Sequence, residues 1–212
     1  MFNIEKLLEI KDLIKKNNKI SQIIAISKNH PKESVVEAIK NGVNIFGENR
    51  VLEAKNKFEE LKETHQNIEL HLTGPLQSNK VKLAISIFDV FHTLDREKIA
   101  KEFFKYSEDI VNKKFFIQVN TGEEKTKSGV YSNKLKDFHE FCKFDMKLNI
   151  VGLMCIPPIN EDPKPHFTKL QLLAKENNID KLSIGMSGDY IEALKFNPAY
   201  IRLGTALFGA RN

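Results

Sequence analysis

The sequence predicts a closed (β/α)8 barrel of the TIM type with one extra helix at its start. Three observations carry this. Short apolar runs alternate with amphipathic stretches eight times after the first helix. The apolar runs are continuous rather than alternating, as in parallel strands buried on both faces. No Gly-x-Gly-x-x-Gly follows the first strand, so the open dinucleotide-binding sheet has little support. With 212 residues the chain can bury a large core, and eight units fit at the short end of the barrel range.

The elements follow in order. Residues 2–17 form an entry helix, with Leu7, Leu8, Ile10, Leu13 and Ile14 at helical spacing on one face. The run IIAIS, 23–27, is the first strand, and helix 32–41 closes on Gly42. NIFGE (44–48) leads to helix 49–63, and IELHLTG (68–74) leads to helix 77–85. VFHTL (90–94) precedes helix 96–106, for which Asp95 is the expected cap. FFIQVN (115–120) precedes helix 132–144, and NIVGLMCI (149–156) precedes helix 164–177. LSIGM (182–186) leads to helix 188–195, and YIRLG (200–204) leads to a short helix in TALFGA. No internal repeat or linker divides the chain, so residues 1–212 are expected to form a single domain.

Composition narrows the function. The net charge is +5, but only four of 33 basic residues are arginine, and the lysines mix with 28 acids as in KFEELKE. That is the pattern of solvated helix faces, and it argues against nucleic acid. The first apolar stretch is broken by Glu5, Lys6 and Glu9, which argues against a signal peptide or membrane span. Cys142 and Cys155 are too few for a disulfide framework and read as buried small hydrophobes. A cytoplasmic protein is expected.

Barrels keep their chemistry at the C-terminal ends of the strands. Strand one ends in Lys28. Strands seven and eight end in SIGMSGD and RLGTALFG. Gly185, Gly188 and Gly204 permit close backbone approach, Ser187 and Thr205 offer hydroxyls, and the last short helix offers free N–H groups. Together they form a candidate phosphate cup where barrels often bind phosphate. An amine across the mouth from such a cup suggests a Schiff base with a phosphorylated aldehyde, pyridoxal 5'-phosphate (PLP) above all. Arg202 lies two residues before Gly204 and shares its face. Beside a pyridine nitrogen it can only donate, which weakens the ring as an electron sink. The alternative for Arg202 is a salt bridge to a strand-end acid. His92 and Asp95 are further candidates for the barrel mouth.

Eight segments in order resemble the pyridoxal phosphate homeostasis proteins (YggS/PROSC type): AISK (25–28), FGENRVLEA (46–54), HLTGPLQSNK (71–80), HTLDR (92–96), TKSG (126–129), GLMCI (152–156), SIGMSGD (183–189) and RLGTALFG (202–209). The resemblance runs nearly end to end. It implies a barrel like the alanine racemase N-terminal domain, the fold-type III PLP architecture, with PLP as a Schiff base on Lys28. It places Ser187, Gly204 and Thr205 around the phosphate, Arg202 beside the ring nitrogen and Asn49 near the ring, and makes Met186 a further cofactor-binding residue. It gives Lys127 a role in handling a second or transferred PLP. Arg50 stands where a tyrosine is frequent, and Ile184 where methionine is common.

Racemisation needs a base on each face of the substrate carbon, and general base catalysis contributes a factor of roughly 10²–10⁴. Alanine racemases take their second base, a tyrosine, from an added β domain, and no such domain is expected after strand eight. The expectation is therefore a non-catalytic carrier or buffer that supplies PLP to apo-enzymes as a monomer. The alternatives are an amino-acid racemase with a noncanonical second base and a phosphosugar barrel enzyme in which Lys28 acts without PLP.

Overall fold

The computed structural model describes residues 2–17 and 19–210. Helix α1 (Ile4–Lys16) is capped by Asn3, whose side chain accepts the Lys6 N–H. Leu7, Ile10 and Ile14 are buried, but Leu8 is 56% exposed. Leu8 lies about 100° around the helix from Leu7, so the apolar face is narrower than the spacing predicted. Eight strand–helix units follow: β1 (Gln22–Ile26), α2 (Lys32–Lys40), β2 (Ile45–Glu48), α3 (Val51–Thr64), β3 (Glu69–Leu72), α4 (Val81–Ile87), β4 (Val90–Leu94), α5 (Glu97–Phe104), β5 (Lys114–Gln118), α6 (Leu135–Glu140), β6 (Ile150–Met154), α7 (Pro163–Glu176), β7 (Lys181–Ser183), α8 (Tyr190–Leu194), β8 (Tyr200–Leu203) and α9 (Thr205–Phe208).

The strands are all parallel and pair in sequence order, and β8 closes onto β1 through Gln22↔Tyr200 to Ala25↔Leu203. The TIM-type (β/α)8 barrel is therefore the fold of the chain. Sequence and structure differ mainly at helix ends. The stretch 77–85 opens as a 3-10 turn before α4. The stretch 132–144 divides into a 3-10 turn, α6 and a π segment at Phe141–Asp145. Helix α2 ends as expected: Gly42 takes φ +78°, its N–H donates to the Ile39 carbonyl, and the Val43 N–H donates to Ala38. Asp95 does not cap α5. Arg96 holds the cap position, and the Asp95 carboxylate instead accepts from the Arg96 guanidinium at 2.5 Å.

Alternation along each strand produces two cores. Outward residues such as Ala25, Phe46, Leu70, Phe91, Phe115, Leu153 and Ile201 pack beneath the helices. Inward residues Ile24, Ile45, Val90, Phe116, Met154 and Tyr200 fill the barrel lumen. Continuing this inward side beyond Ile24 and Ile26 places Lys28 at the mouth.

Candidate functional site at the barrel mouth

A cavity of about 300 Å³ opens at the C-terminal ends of the strands. Lys28, Met186, Ser187, Arg202, Gly204 and Thr205 line it, with Gly188 beside them and Ile26, Thr73 and Ile156 as its apolar and hydroxyl walls. Six residues expected from strands one, seven and eight thus meet in one place. The other two stand apart. Asn49, just after β2, lines a neighbouring cavity, and Lys127 is exposed on the loop between β5 and α6.

The backbone around Lys28 is pinned on both sides. The Ser27 N–H donates to Gly47, and the Ser27 carbonyl accepts from Lys57 Nζ at 2.8 Å. The Asn29 N–H donates to Glu53 at 2.6 Å. Behind this turn lies a buried ion pair, Lys57 Nζ to Glu48 Oε1 at 2.8 Å, to which the Ser27 hydroxyl also donates. Burial pushes the Glu48 pKa up and Lys57 opposes it. Lys28 therefore stands on a rigid base.

The glycines of the cup differ in kind. Gly185 is required by its own backbone: φ is +87°, and a Cβ there would meet the Ala193 methyl at 2.6 Å. Gly188 and Gly204 are spared by their neighbours, since a Cβ on Gly188 meets nothing within 4 Å and one on Gly204 nothing nearer than 3.6 Å. Their missing side chains leave room beside the cavity rather than relieving a clash. Ser187 Oγ accepts the Ala206 N–H at 3.2 Å, tying the strand-seven loop to the start of α9.

Arg202 is buried, and its partners are neutral. It donates to the Ser183 carbonyl (2.6 Å), to Ser183 Oγ (2.8 Å) and to the Cys155 carbonyl (2.9 Å). The salt bridge to a strand-end acid is not formed. Three of five N–H donors are committed to these bonds, and two are not. Burial pulls the guanidinium pKa down from its usual value. The Cys155 thiol is pushed up to about 12, and that of Cys142 likewise, so both cysteines are inert buried thiols.

Sequence reasoning missed what lies beneath Arg202. His92 is fully buried in the lumen rather than at the mouth, stacked on Phe116 with ring centroids 4.5 Å apart. A chain of hydrogen bonds runs down the lumen from Ser183 Oγ to His92 Nδ1 (3.0 Å), from His92 Nε2 to His71 Nδ1 (2.8 Å), and from His71 Nε2 to Glu69 Oε1 (2.8 Å). Burial lowers the pKa of both histidines. The signal was available: Glu69, His71 and Thr73, like Val90 and His92, alternate onto the inward side of their strands.

With this geometry in place, comparison with known proteins is direct. Residues 5–212 match the family model of the alanine racemase N-terminal domain. A pyridoxal phosphate homeostasis protein of Vibrio cholerae is 39% identical over 202 residues, covering 90% of this chain and 86% of that protein. PipY of Synechococcus elongatus, in a structure with PLP bound, superposes with a TM-score of 0.85 at 30% identity, covering 97% of this chain and 99% of PipY. Alanine racemase of Clostridium difficile shares the fold, with a TM-score of 0.75 at 14% identity over 98% of this chain and 56% of the enzyme. By barrel architecture, by identity and by near end-to-end coverage, this chain belongs to the pyridoxal phosphate homeostasis protein family, built on the alanine racemase N-terminal domain.

Proposed function

We propose that residues 1–212 form one PLP-binding barrel domain that carries or buffers PLP and supplies it to apo-enzymes in the cytoplasm, acting as a monomer without substantial catalysis of its own. The observation that carries this is the single cavity in which Lys28, Met186, Ser187, Arg202, Gly204 and Thr205 converge. Those residues fit PLP by their chemistry. The Lys28 amine would hold the cofactor through its aldehyde. The Ser187 and Thr205 hydroxyls, with the open space at Gly188 and Gly204, suit a phosphate. The uncommitted N–H groups of Arg202 suit a ring nitrogen, which they leave unprotonated. Bound PLP supplies an electrophilic ring, and a donor at its nitrogen limits how well that ring stabilises a carbanion. Asn49 and Lys127 act at the rim, Asn49 toward the ring and Lys127 on the loop that hands PLP over.

The carrier reading is favoured over the racemase because no tyrosine is among the described residues that line the Lys28 cavity. Tyr200 points down the lumen, with its ring edge against His71 and His92. Tyr190 is buried and interacts with Lys6 of α1. No helix among the described residues is long and apolar enough to cross a membrane.

The test is a borohydride trap. PLP is added, the absorption band is followed, the product is reduced and digested, and the modified lysine is located by mass spectrometry. A pyridoxyl adduct mainly on Lys28, lost in Lys28→Ala, is expected. Adduct mainly on Lys127 or spread over surface lysines would overturn the reading.

A further inference from the structure

A second, larger cavity of about 830 Å³ lies on the same end of the barrel, between the start of α3 and the loop from β3 to α4. Arg50, Lys80, Arg96 and Gln77 line it, with Leu52 and Pro75 as its apolar wall. Asn49, in its lining, packs closely on Gly74: a Cβ on Gly74 would meet the Asn49 carbonyl oxygen at 2.4 Å. The three described arginines all line one cavity or the other, in a chain whose cations are otherwise lysines. Arginine offers a rigid, multiply donating fork suited to phosphate and carboxylate.

The charges here are available to a ligand. Among the described residues, the side chains of Arg50, Lys80 and Gln77 make no hydrogen bond or ion pair. The carboxylate in the lining, Glu53, is committed to the Asn29 N–H and to Lys57. Arg96 is bonded to Asp95 and to the Leu76 carbonyl through NH1 and NH2, with further N–H groups to spare. Helix α3, 14 residues long, has no side-chain cap, and its first-turn residues Val51, Leu52 and Glu53 line the same cavity.

We propose that this cavity is a second anion site, which takes an organic phosphate: its phosphate sits among Arg50, Lys80, Arg96 and the start of α3, and its apolar body lies against Leu52 and Pro75. The inference does not rest on PLP binding: Lys28 and the cup residues of the first cavity are not among those that line the second.

The experiment is a titration of the full chain, labelled with 15N, with phenyl phosphate, followed at the backbone amides. Saturable shifts at residues 49–53 and 76–80 are expected, and Arg50→Ala/Lys80→Ala should weaken that response tenfold or more. Residues 186–188 and 204–206 should respond in the double variant as in the wild type, which also shows that the fold is kept. The single reversal Lys80→Glu should give the same loss, and Arg50→Lys should retain part of the affinity. Shifts confined to 186–188 and 204–206, or equal affinity at 49–53 in the double variant, overturn the proposal. So does a response of this region to a polyglutamate peptide but not to phenyl phosphate, which marks a protein-docking surface instead.

Discussion

His92 Nε2 lies 2.8 Å from His71 Nδ1 in the barrel lumen, and the direction of that bond is fixed from both ends. At the top, Arg202 can only donate, so Ser183 Oγ accepts from it and keeps its own hydroxyl hydrogen available for His92 Nδ1. At the bottom, the Glu69 carboxylate can only accept, so His71 Nε2 carries a hydrogen toward it. The middle bond then runs from His92 Nε2–H to His71 Nδ1. Both rings are neutral in this arrangement, which agrees with the downward pKa shift that burial gives each. The chain joins a cation at the mouth to a carboxylate near the barrel floor and holds Arg202 in place.

The first prediction follows from that polarity. In 15N NMR of the imidazoles, His71 and His92 should both be Nε2–H tautomers and should both be mainly neutral at pH 6.5, where a free imidazole is half protonated. A titration of either ring near the unperturbed value of about 6.5 would contradict the assignment.

Acid should act on this network from below. Glu69 is held down to about 2, first by its bond to His71, with Lys114 adding to it. Its folded-state pKa lies below the unfolded value of about 4.3, so its stabilisation is fully present above that value and is lost as pH falls toward 2. Because Glu69 is only half-buried, solvent screening limits the contribution to about 1 kcal/mol or less. Urea unfolding of the wild type and Glu69→Gln should differ at pH 7 and converge by pH 2–3. A difference that grows on acidification would reverse the sign and refute the claim.

The barrel was legible because its signal is repetitive. Eight apolar runs such as IIAIS and VFHTL must be covered on both faces, and only a parallel sheet wrapped in helices does that. Lys28, Ser187 and Arg202 were legible because each sits at or beside a strand's C-terminal end, where topology alone brings them together. The helix ends were not, because local turns decide them: Asp95 found a stronger partner in Arg96 than in the N–H groups of α5. His92 was misread because a buried polar residue looks like a mouth residue until its partner, here Ser183, 91 positions away, is known.

The cup glycines separate binding from folding. Gly188→Ala and Gly204→Ala place a methyl where the nearest atoms are beyond 4 Å and at 3.6 Å respectively. Surface substitutions without a clash usually stay within about 0.5 kcal/mol. Each variant should unfold in urea like the wild type, while PLP retention on a desalting column should fall markedly. Unchanged retention in both would mean that the phosphate does not enter beside these residues.

The ion pair behind Lys28 provides the last test. Lys57 and Glu48 are both buried, and Glu48 Oε2 has no further partner. Removing one member leaves a buried charge uncompensated, which typically costs about 3–5 kcal/mol, whereas replacing the pair by neutral groups is often nearly neutral. Lys57→Met alone should therefore destabilise the barrel strongly. Lys57→Met with Glu48→Gln should recover most of the loss, because the neutral amide keeps the hydrogen bond from Ser27. The recovery should be incomplete for cofactor capture, because the Ser27 carbonyl has still lost its bond from Lys57 and the turn carrying Lys28 is looser. Urea unfolding measures the first effect and the rate of the PLP absorption change the second. A double variant no more stable than Lys57→Met would show that the pair is not a coupled unit.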